Sequence, residues 1–340
     1  MTADPLLGLA WLVLAHLVAD FVLQTGWMVR TKSARGGAAL QGLFVHGAVV
    51  ALCLVPAGFA FGARGWWLLV VVSVSHVIVD RVKVVLTGRA EAAALADARR
   101  RHEATGADDA GLGPAWTPLP AALFALDQLA HVLIIVASWA ALLSAAPLEP
   151  GFRDAAAGWF SAWDPDAVHE AIVRTVVLTS LLIVNVRAGA LFVAVLVGPR
   201  LAGAHGPAGA GATGTAAAVD SVGVRSGRGW TLRFGPLVGR VDADPEPTGA
   251  AAGDHVAQTP ARPARVGEAI GILERLLVAA FVLARAEAAI GLVIAAKTLA
   301  RFRQLDDRDF AEYYLLGTLA SVAVAAISAF VAAAVLATLG

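Results

Sequence analysis

The chain has 340 residues, of which 58% are hydrophobic and only 15% are charged, and its mean hydropathy is +0.72. Soluble domains carry about 25% charged residues, so this composition excludes an ordinary soluble domain and predicts a membrane protein. A formal net charge of zero gives no basis for nucleic-acid binding. The single cysteine excludes a disulfide framework or a thiolate metal cluster within one chain.

Apolar runs of about 20 residues, the length that crosses a bilayer, recur along the whole chain. They predict an all-α, polytopic transmembrane helical bundle of about seven or eight spans. The first run contains His16 and Asp20 and follows an N-terminus without a basic n-region, which predicts a retained span and not a cleaved signal. We interpret the run at 267–300, which Arg285 and Glu287 interrupt, as a helical hairpin. The runs lie at 6–26, 39–61, 66–87, 120–145, 169–198, 267–300 and 313–338.

The loops between the spans differ in their content of basic residues. Lysines and arginines concentrate after the first, third, fifth and seventh spans, and the alternate loops hold few. Basic residues mark the cytoplasmic side of a membrane protein. The sequence therefore predicts that both termini face outward.

Changes in composition divide the chain into four parts. A four-span core at 1–147 carries the His/Asp groups, and 148–200 holds an acidic outer loop and the fifth span. Residues 201–265 are rich in Gly, Ala and Pro, which predicts a disordered cytoplasmic insertion with one short β-hairpin at "GWTLRFGPLVGRV". Residues 266–340 hold a helical hairpin and the last span. The 88–118 segment is predicted to be a loop with a short helix at 90–101.

Polar side chains lie inside the first four spans, where lipid makes them costly. Three spans carry a histidine and an aspartate four residues apart, which places both on one helix face. When residues are counted from the predicted cytoplasmic helix ends, the aspartates lie roughly 10 Å deep and the paired histidines roughly 16 Å. The common depth predicts that these side chains meet in one layer. The residues are His16, Asp20, His46, His76, Asp80, Asp127 and His131.

These seven side chains point to a metal site. An aspartate at mid-membrane costs about 2.5–3.5 kcal/mol, so three of them need compensation by imidazoles, water, Lys83, Arg81 or a bound cation. Imidazole and carboxylate groups are ligands for Zn²⁺, Mn²⁺ or Fe²⁺. We therefore predict a divalent metal site that draws its ligands from these seven, which are enough for one metal ion with supporting residues or for two, and Gln24, Lys83 and Gln128 as supporting residues. A metal-free hydrogen-bond or proton network is the alternative.

A separate group of charges lies in the C-terminal third of the chain. Glu274 and Lys297 fall at similar depth in the predicted hairpin, and Arg301 follows Lys297 by one turn. The pattern predicts either an ion pair within the protein or contact with an anionic lipid headgroup.

Four stretches carry a family resemblance: "AHLVADFVLQTGWMVRTK", "SHVIVDRVK", "LDQLAH" and "IGILERLL…IGLVIAAKTLARF…FAEYYLLGTLAS". In these stretches the chain resembles a bacterial membrane family, domain-of-unknown-function family 3307. The resemblance covers most of the chain apart from 88–118 and 201–265, and it implies a multi-pass protein of the bacterial inner membrane. The His/Asp-bearing spans are also loosely similar to inner-membrane proteins described as metal-dependent hydrolases of the LexA-binding type.

Three functions are compatible with these patterns. A metal-dependent hydrolase would use Asp20, Asp80 or Asp127 in catalysis on a membrane-associated, lipid-like substrate. A transporter or relay would pass protons or a cation along the same layer. A structural or signalling protein would use the layer only to fix helix register. Membrane lipid is the predicted partner, and the sequence does not identify a protein partner.

Overall fold

The structure, a computed structural model, describes residues 5–34, 36–105, 117–203, 229–234, 237–242 and 261–339. Helices account for most of these residues, and the rest are turns, loops and one antiparallel hairpin of two strands. The helices are α1 (Pro5–Leu17), α2 (Gly26–Lys32), α3 (Gly37–Thr105), α4 (Leu119–Leu142), α5 (Pro150–Trp159), α6 (Pro165–Ile183), α7 (Gly189–Gly203), α8 (Ala261–Leu283), α9 (Ala288–Ala300) and α10 (Arg308–Leu336). The strands are β1 (Gly229–Phe234) and β2 (Leu237–Asp242).

Helix α3 is folded back on itself at Gly62. Its 69 residues contain one non-helical residue, Gly62, whose φ of 57° is the left-handed backbone that glycine adopts without strain. A straight helix would separate His46 and His76, 30 residues apart, by about 45 Å, yet their Nε2 atoms are 3.0 Å apart. The two arms, 37–61 and 63–105, are therefore antiparallel neighbours.

Two helices widen into a π turn at polar residues. The first π turn, Val18–Val22, continues α1 and contains Asp20. The second π turn, Val184–Ala188, joins α6 to α7 and contains Asn185 and Arg187. The two turns touch, because Arg187 Nε donates to the carbonyl oxygen of Phe21 over 3.1 Å. Such π turns are uncommon and are often found at functional sites.

The apolar core has an N-terminal and a C-terminal half. In the first half, Leu12 of α1, Leu54 and Leu68 of the two α3 arms, and Ile135 of α4 pack together. In the second half, α6, α8 and α10 pack through Val173, Val282 and Ala329, among other residues. Phe21, Phe124 and Ile183 join the two halves beside the π turns.

The helices present apolar side chains outward and polar ones inward. Phe44 and Ile78 on α3 are 76% and 58% exposed, whereas His46 and His76 on the same arms are 1% exposed. Five helical segments are long and apolar enough to cross a membrane, at Pro5–Val22, Gly37–Ala94, Leu119–Leu142, Pro165–Val197 and Phe310–Leu336. The second of these contains both arms of α3. These findings confirm an all-α fold with apolar helices of membrane-spanning length.

The C-terminal hairpin predicted at 267–300 consists of α8 and α9, joined by a turn in which Arg285 has a φ of 55°. Helix α9 has 13 residues and is a shorter apolar helix. At about 1.5 Å per residue it is roughly 20 Å long, which is less than the hydrocarbon thickness of about 30 Å.

Two predicted boundaries differ from the structure. The helix predicted at 90–101 is not a separate element in a loop, because α3 continues without a break to Thr105. The Ala, Glu and Arg residues of that stretch are strong helix formers. In the predicted insertion, α7 runs to Gly203, α8 begins at Ala261, and the β-hairpin pairs Gly229 with Asp242 and Phe234 with Leu237. The predicted disorder of 204–228 and 243–260 lies outside the described residues.

Candidate metal centre

Asp20, His46 and His76 place three donor atoms within mutual contact. The Nε2 atoms of the two histidines are 3.0 Å apart, and Asp20 Oδ1 lies 3.3 Å from His46 Nε2 and 3.2 Å from His76 Nε2. Asp20 Oδ1 is buried, and these two ring nitrogens are its polar neighbours within the described residues. Ligands at about 2.0–2.1 Å from a tetrahedral metal lie about 3.3–3.4 Å from one another. The triangle of donors therefore has nearly the edge lengths of a zinc-type site.

Local backbone features bring these three residues together. The first π turn contains Asp20, and the reversal at Gly62 sets His46 beside His76. Next to His46, Gly47 lets the arms approach closely, because a Cβ there would lie 2.6 Å from a methyl group of Val77. The first π turn, the chain reversal at Gly62 and the close approach at Gly47 thus bring the three donor atoms together.

The remaining histidines continue the cluster on the side of α1 and α4. The ring of His131 lies 4.1 Å from that of His76 and 5.1 Å from that of His16, measured between centroids. His46 completes the series, with its ring 5.0 Å from that of His76. Two further donor groups, each within 4.8 Å, overlap the first: His16 with Asp20 and His131, and His76 with Asp80 and His131.

Several polar atoms of this cluster are buried without a hydrogen bond. They include Nδ1 of His16, both ring nitrogens of His131, Nδ1 of His76 and Oδ1 of Asp127. Buried polar groups are nearly always paired with protein, water or an ion, and an unmade hydrogen bond costs about 1–3 kcal/mol. The donor set therefore has the chemistry of a site that binds a cation or ordered water.

Two lysines neutralise two of the three aspartates. Lys32 Nζ lies 2.8 Å from Asp80 Oδ2, and both side chains are almost fully buried. Lys83 Nζ lies 2.7 Å from Asp127 Oδ2 and also 4.9 Å from the centre of the Phe124 ring. No lysine or arginine in the described part of the chain forms an ion pair with Asp20. With neutral imidazoles, the cluster carries one net negative charge, next to the Asp20 triangle.

Two glutamines contact the predicted ligands. Gln128 Nε2 donates to Asp127 Oδ2 over 3.0 Å and to Asp20 Oδ2 over 3.5 Å, while its Oε1 lies 3.3 Å from His16 Nε2. Gln24 Nε2 lies 3.0 Å from His46 Nε2. The structure thus brings together the seven predicted ligands and places Gln24, Lys83 and Gln128 against them.

Lys32 is the contact that the sequence pattern does not reveal. It lies in a basic stretch after the first span, which predicts a loop cation at the membrane surface. Instead, Thr25 caps the N-terminus of α2 by accepting a hydrogen bond from Met28 N, and α2 packs against α3. This short helix carries Lys32 into the protein, where Asp80 binds it. Arg81, in contrast, is exposed.

The C-terminal charges form a separate group. Lys297 Nζ and Glu274 Oε2 are 2.6 Å apart, which is the predicted ion pair. Arg301 does not join it: its Nη1 donates to Gln304 Oε1 over 3.2 Å, and its guanidinium lies 6.0 Å from the centre of the Phe310 ring.

The family comparison covers the N-terminal part of the chain. Residues 9–149 match the family described as "Protein of unknown function (DUF3307)". No curated protein and no solved structure matches the chain, so the likeness to LexA-binding-type hydrolases receives no support. The similar C-terminal stretch lies outside the matched residues. The part of the chain that contains all seven candidate ligands is therefore the part that matches the DUF3307 model.

Proposed function

We propose that the DUF3307 region is an intramembrane metal centre in which Asp20, His46 and His76 bind one divalent metal ion. The observation that carries this proposal is the convergence of the buried Asp20 Oδ1 with two histidine Nε2 atoms, at 3.2 and 3.3 Å from it and 3.0 Å from each other. Zn²⁺, Mn²⁺ and Fe²⁺ all accept this ligand set. The single negative charge left beside Asp20 also favours a cation at this point.

Three protein ligands are typical of catalytic metal sites, in which an open position remains for water or substrate. A divalent metal in such a site supplies the Lewis acidity that activates water for hydrolysis. We therefore propose a metal-dependent hydrolase that acts on a membrane-associated substrate, such as a lipid ester or lipid phosphate. The apolar, lipid-facing outer surface of the same helices supports a substrate of this class.

Asp80 is the residue best placed to accept a proton in this reaction. Its Oδ2 lies 3.5 Å from His46 Nε2, at the edge of the triangle, and Lys32 holds the same oxygen. The ammonium group fixes the position of the carboxylate, and a general base must be held within reach of the proton that it accepts. In this proposal Asp20 is a metal ligand. Asp127 lies on α4, where Gln128 also contacts it, and its ion pair with Lys83 orients α4 against α3.

The direct experiment measures metal in purified protein. The full chain, prepared without chelator, is compared with the His46→Ala and His76→Ala variants by elemental mass spectrometry. His169→Ala is the matched control, because His169 belongs to none of the donor groups. We expect about one ion per chain in the wild type and the control, and loss of metal in the two ligand variants. Metal-free wild-type protein would contradict the proposal.

The catalytic step has its own test. Wild-type and Asp80→Asn proteins are incubated with phospholipid vesicles, and hydrolysis products are measured by mass spectrometry. We expect Asp80→Asn to keep its metal but to lose product formation. Unchanged product formation in this variant would remove Asp80 from the mechanism.

A proton or cation relay is the second candidate function. The specific observation in its favour is the series of four imidazoles, from His16 through His131 and His76 to His46, with successive ring centres 5.1, 4.1 and 5.0 Å apart. Imidazoles in such a series can pass protons between ring nitrogens. A liposome flux assay distinguishes the functions, since a relay predicts ion movement that His131→Ala abolishes, and a hydrolase predicts none.

A further inference from the structure

Helix α5 (Pro150–Trp159) is exposed along its length and carries large aromatic side chains. None of its residues is buried. Phe152 and Phe160 are exposed, and Trp159 is 84% exposed. Trp163, in the turn that leads to α6, is 69% exposed. Exposed aromatic groups that cluster on one short segment mark a surface that interacts with another apolar phase.

The aromatic side chains of α5 lie on one face of the helix, and its acidic residue lies on the other. Phe152, Ala156 and Trp159 are spaced by four and three residues, which places them on the same face. Asp154, two residues after Phe152, lies on the opposite face, and its Oδ1 is 3.5 Å from Arg153 Nε. Within α5, all of which is described, Ala156 is the one residue that is partly covered. The aromatic face is therefore turned toward the bundle and the polar face away from it.

Helix α5 lies at the end of the bundle where α3 reverses its direction. The backbone N–H of Glu149, the residue before α5, donates to the carbonyl oxygen of Ala60 over 2.8 Å, two residues before Gly62. Helix α4 ends at Leu142 and α6 begins at Pro165, and both belong to segments long and apolar enough to cross a membrane. The aromatic face of α5 thus continues the apolar surface of these segments at the level where they end.

We propose that α5 is an interfacial helix, which lies in the plane of the membrane with its aromatic face at the boundary between lipid headgroups and acyl chains. Tryptophan is enriched at this boundary because its ring is apolar and its N–H is polar. The apolar face of such a helix is buried about 5–10 Å into the boundary. The partner of this surface is therefore the lipid bilayer and not a second protein chain.

This position of α5 sets the level of the Asp20 triangle in the membrane. His46 and His76 are 16 and 14 residues from Gly62, which is about 24 and 21 Å along the two arms of α3. With Gly62 at one boundary of a hydrocarbon layer about 30 Å thick, the triangle lies within about 10 Å of the opposite boundary. A lipid substrate would then reach the metal centre from the leaflet opposite α5, a consequence that rests on the proposed function.

Site-directed spin labelling of the full chain in phosphatidylcholine liposomes tests the position of α5 and the level of the triangle. Because Cys53 is the only cysteine, Cys53→Ser provides a background for single cysteines. Nitroxide labels are attached at exposed positions: Trp159→Cys on the aromatic face of α5, Asp154→Cys on its polar face as the matched control, and Val71→Cys and Ile78→Cys on the second arm of α3. Power-saturation spectra compare collisions with oxygen, which enters lipid, and with a water-soluble nickel chelate. Circular dichroism checks that each variant is folded.

We expect the Trp159 label about 5–10 Å below the headgroups and the Asp154 label in water. The Val71 label, about 14 Å from Gly62, should be the deepest, and the Ile78 label, about 24 Å from Gly62, should be shallower. Equal access of the nickel chelate to the Trp159 and Asp154 labels would place α5 in water, and a Trp159 label shielded from both reagents would indicate a protein partner. Either result would overturn the proposal.

An Ile78 label deeper than the Val71 label would overturn the level assigned to the Asp20 triangle. The expected depths in a protein that holds no metal would support the position of α5 and contradict the metal proposal alone.

Discussion

Replacing Lys32 by methionine tests the charge balance of the metal centre. Lys32 and Asp80 form an ion pair of 2.8 Å in which the side chains are 8% and 2% exposed. Methionine has a similar length but no charge, so Lys32→Met leaves the Asp80 carboxylate buried without its cation. The net charge of the cluster then changes from one negative charge to two.

The magnitude follows from the burial of the pair. Breaking a buried ion pair by removing one partner costs about 3–5 kcal/mol, whereas an exposed pair contributes about 0–1 kcal/mol. We expect Lys32→Met to lower the free energy of unfolding by an amount in the buried range. The double variant Lys32→Met with Asp80→Asn removes both charges and should recover most of the loss.

The metal proposal adds a second expectation for the same variant. A ligand that binds the folded state stabilises it by about 2.7 kcal/mol at 100 times its dissociation constant. Because the cluster of Lys32→Met carries one more negative charge, added Zn²⁺ or Mn²⁺ should stabilise this variant more than the wild type.

Unfolding free energies measured by steric trapping in bicelles, with and without Zn²⁺, test both statements. Arg81→Met is the matched control, since Arg81 is exposed on the same arm of α3 as Asp80. Substitutions at the surface usually change the free energy of unfolding by no more than about 0.5 kcal/mol. If Lys32→Met unfolded like this control, Lys32 would not be buried against Asp80. If Zn²⁺ stabilised Lys32→Met no more than the wild type, its binding would not depend on the charge of this cluster.

Two further variants test other parts of the structure. Gly62→Ala should lower the free energy of unfolding by about 1–3 kcal/mol, because φ is positive there and a Cβ would overlap the Glu149 side chain. The control is Gly88→Ala, at a helical site with open space around it, which should be neutral or stabilising. Thermal unfolding of both variants tests this difference. Gln128→Leu should weaken metal affinity about 10–100-fold, as loss of a group that orients ligands does, and an unchanged affinity in a competition titration would remove Gln128 from the site.

The sequence predicts the helices and the polar layer because both depend on short-range patterns. A spacing of four residues places His16 with Asp20, and His76 with Asp80, on one helix face whatever the tertiary fold. Antiparallel spans of similar length then place these histidines and aspartates at a common depth. Glu274 and Lys297 are paired for the same reason, since they lie on the two helices of one hairpin.

Contacts that depend on tertiary packing cannot be predicted from such short-range patterns. Nothing in the pattern around Lys32 indicates that α2 turns back into the bundle, because its seven residues carry too little periodicity to define a buried face. Arg275 Nε donates to the carbonyl oxygen of Asn185, 90 residues away, and no local rule fixes the register between their helices. The π turns that aim Asp20 and expose the Asn185 carbonyl are likewise products of packing.

The N-terminal bundle places apolar and polar side chains on opposite faces of its helices. The outward faces are apolar, as at Phe44 and Ile78, while the inward faces hold buried imidazoles and carboxylates. The polar groups then interact with each other and with two lysines. The remaining negative charge at Asp20 is the feature that the metal proposal explains.

Anomalous diffraction at the absorption edge of the bound metal, from crystals of the full chain grown without chelator, tests that proposal most directly. The account predicts a single strong anomalous peak within about 2.0–2.2 Å of Asp20 Oδ1 and of the Nε2 atoms of His46 and His76. A map without a peak at this position, together with a water or a direct hydrogen bond between the two imidazoles and Asp20, would contradict it.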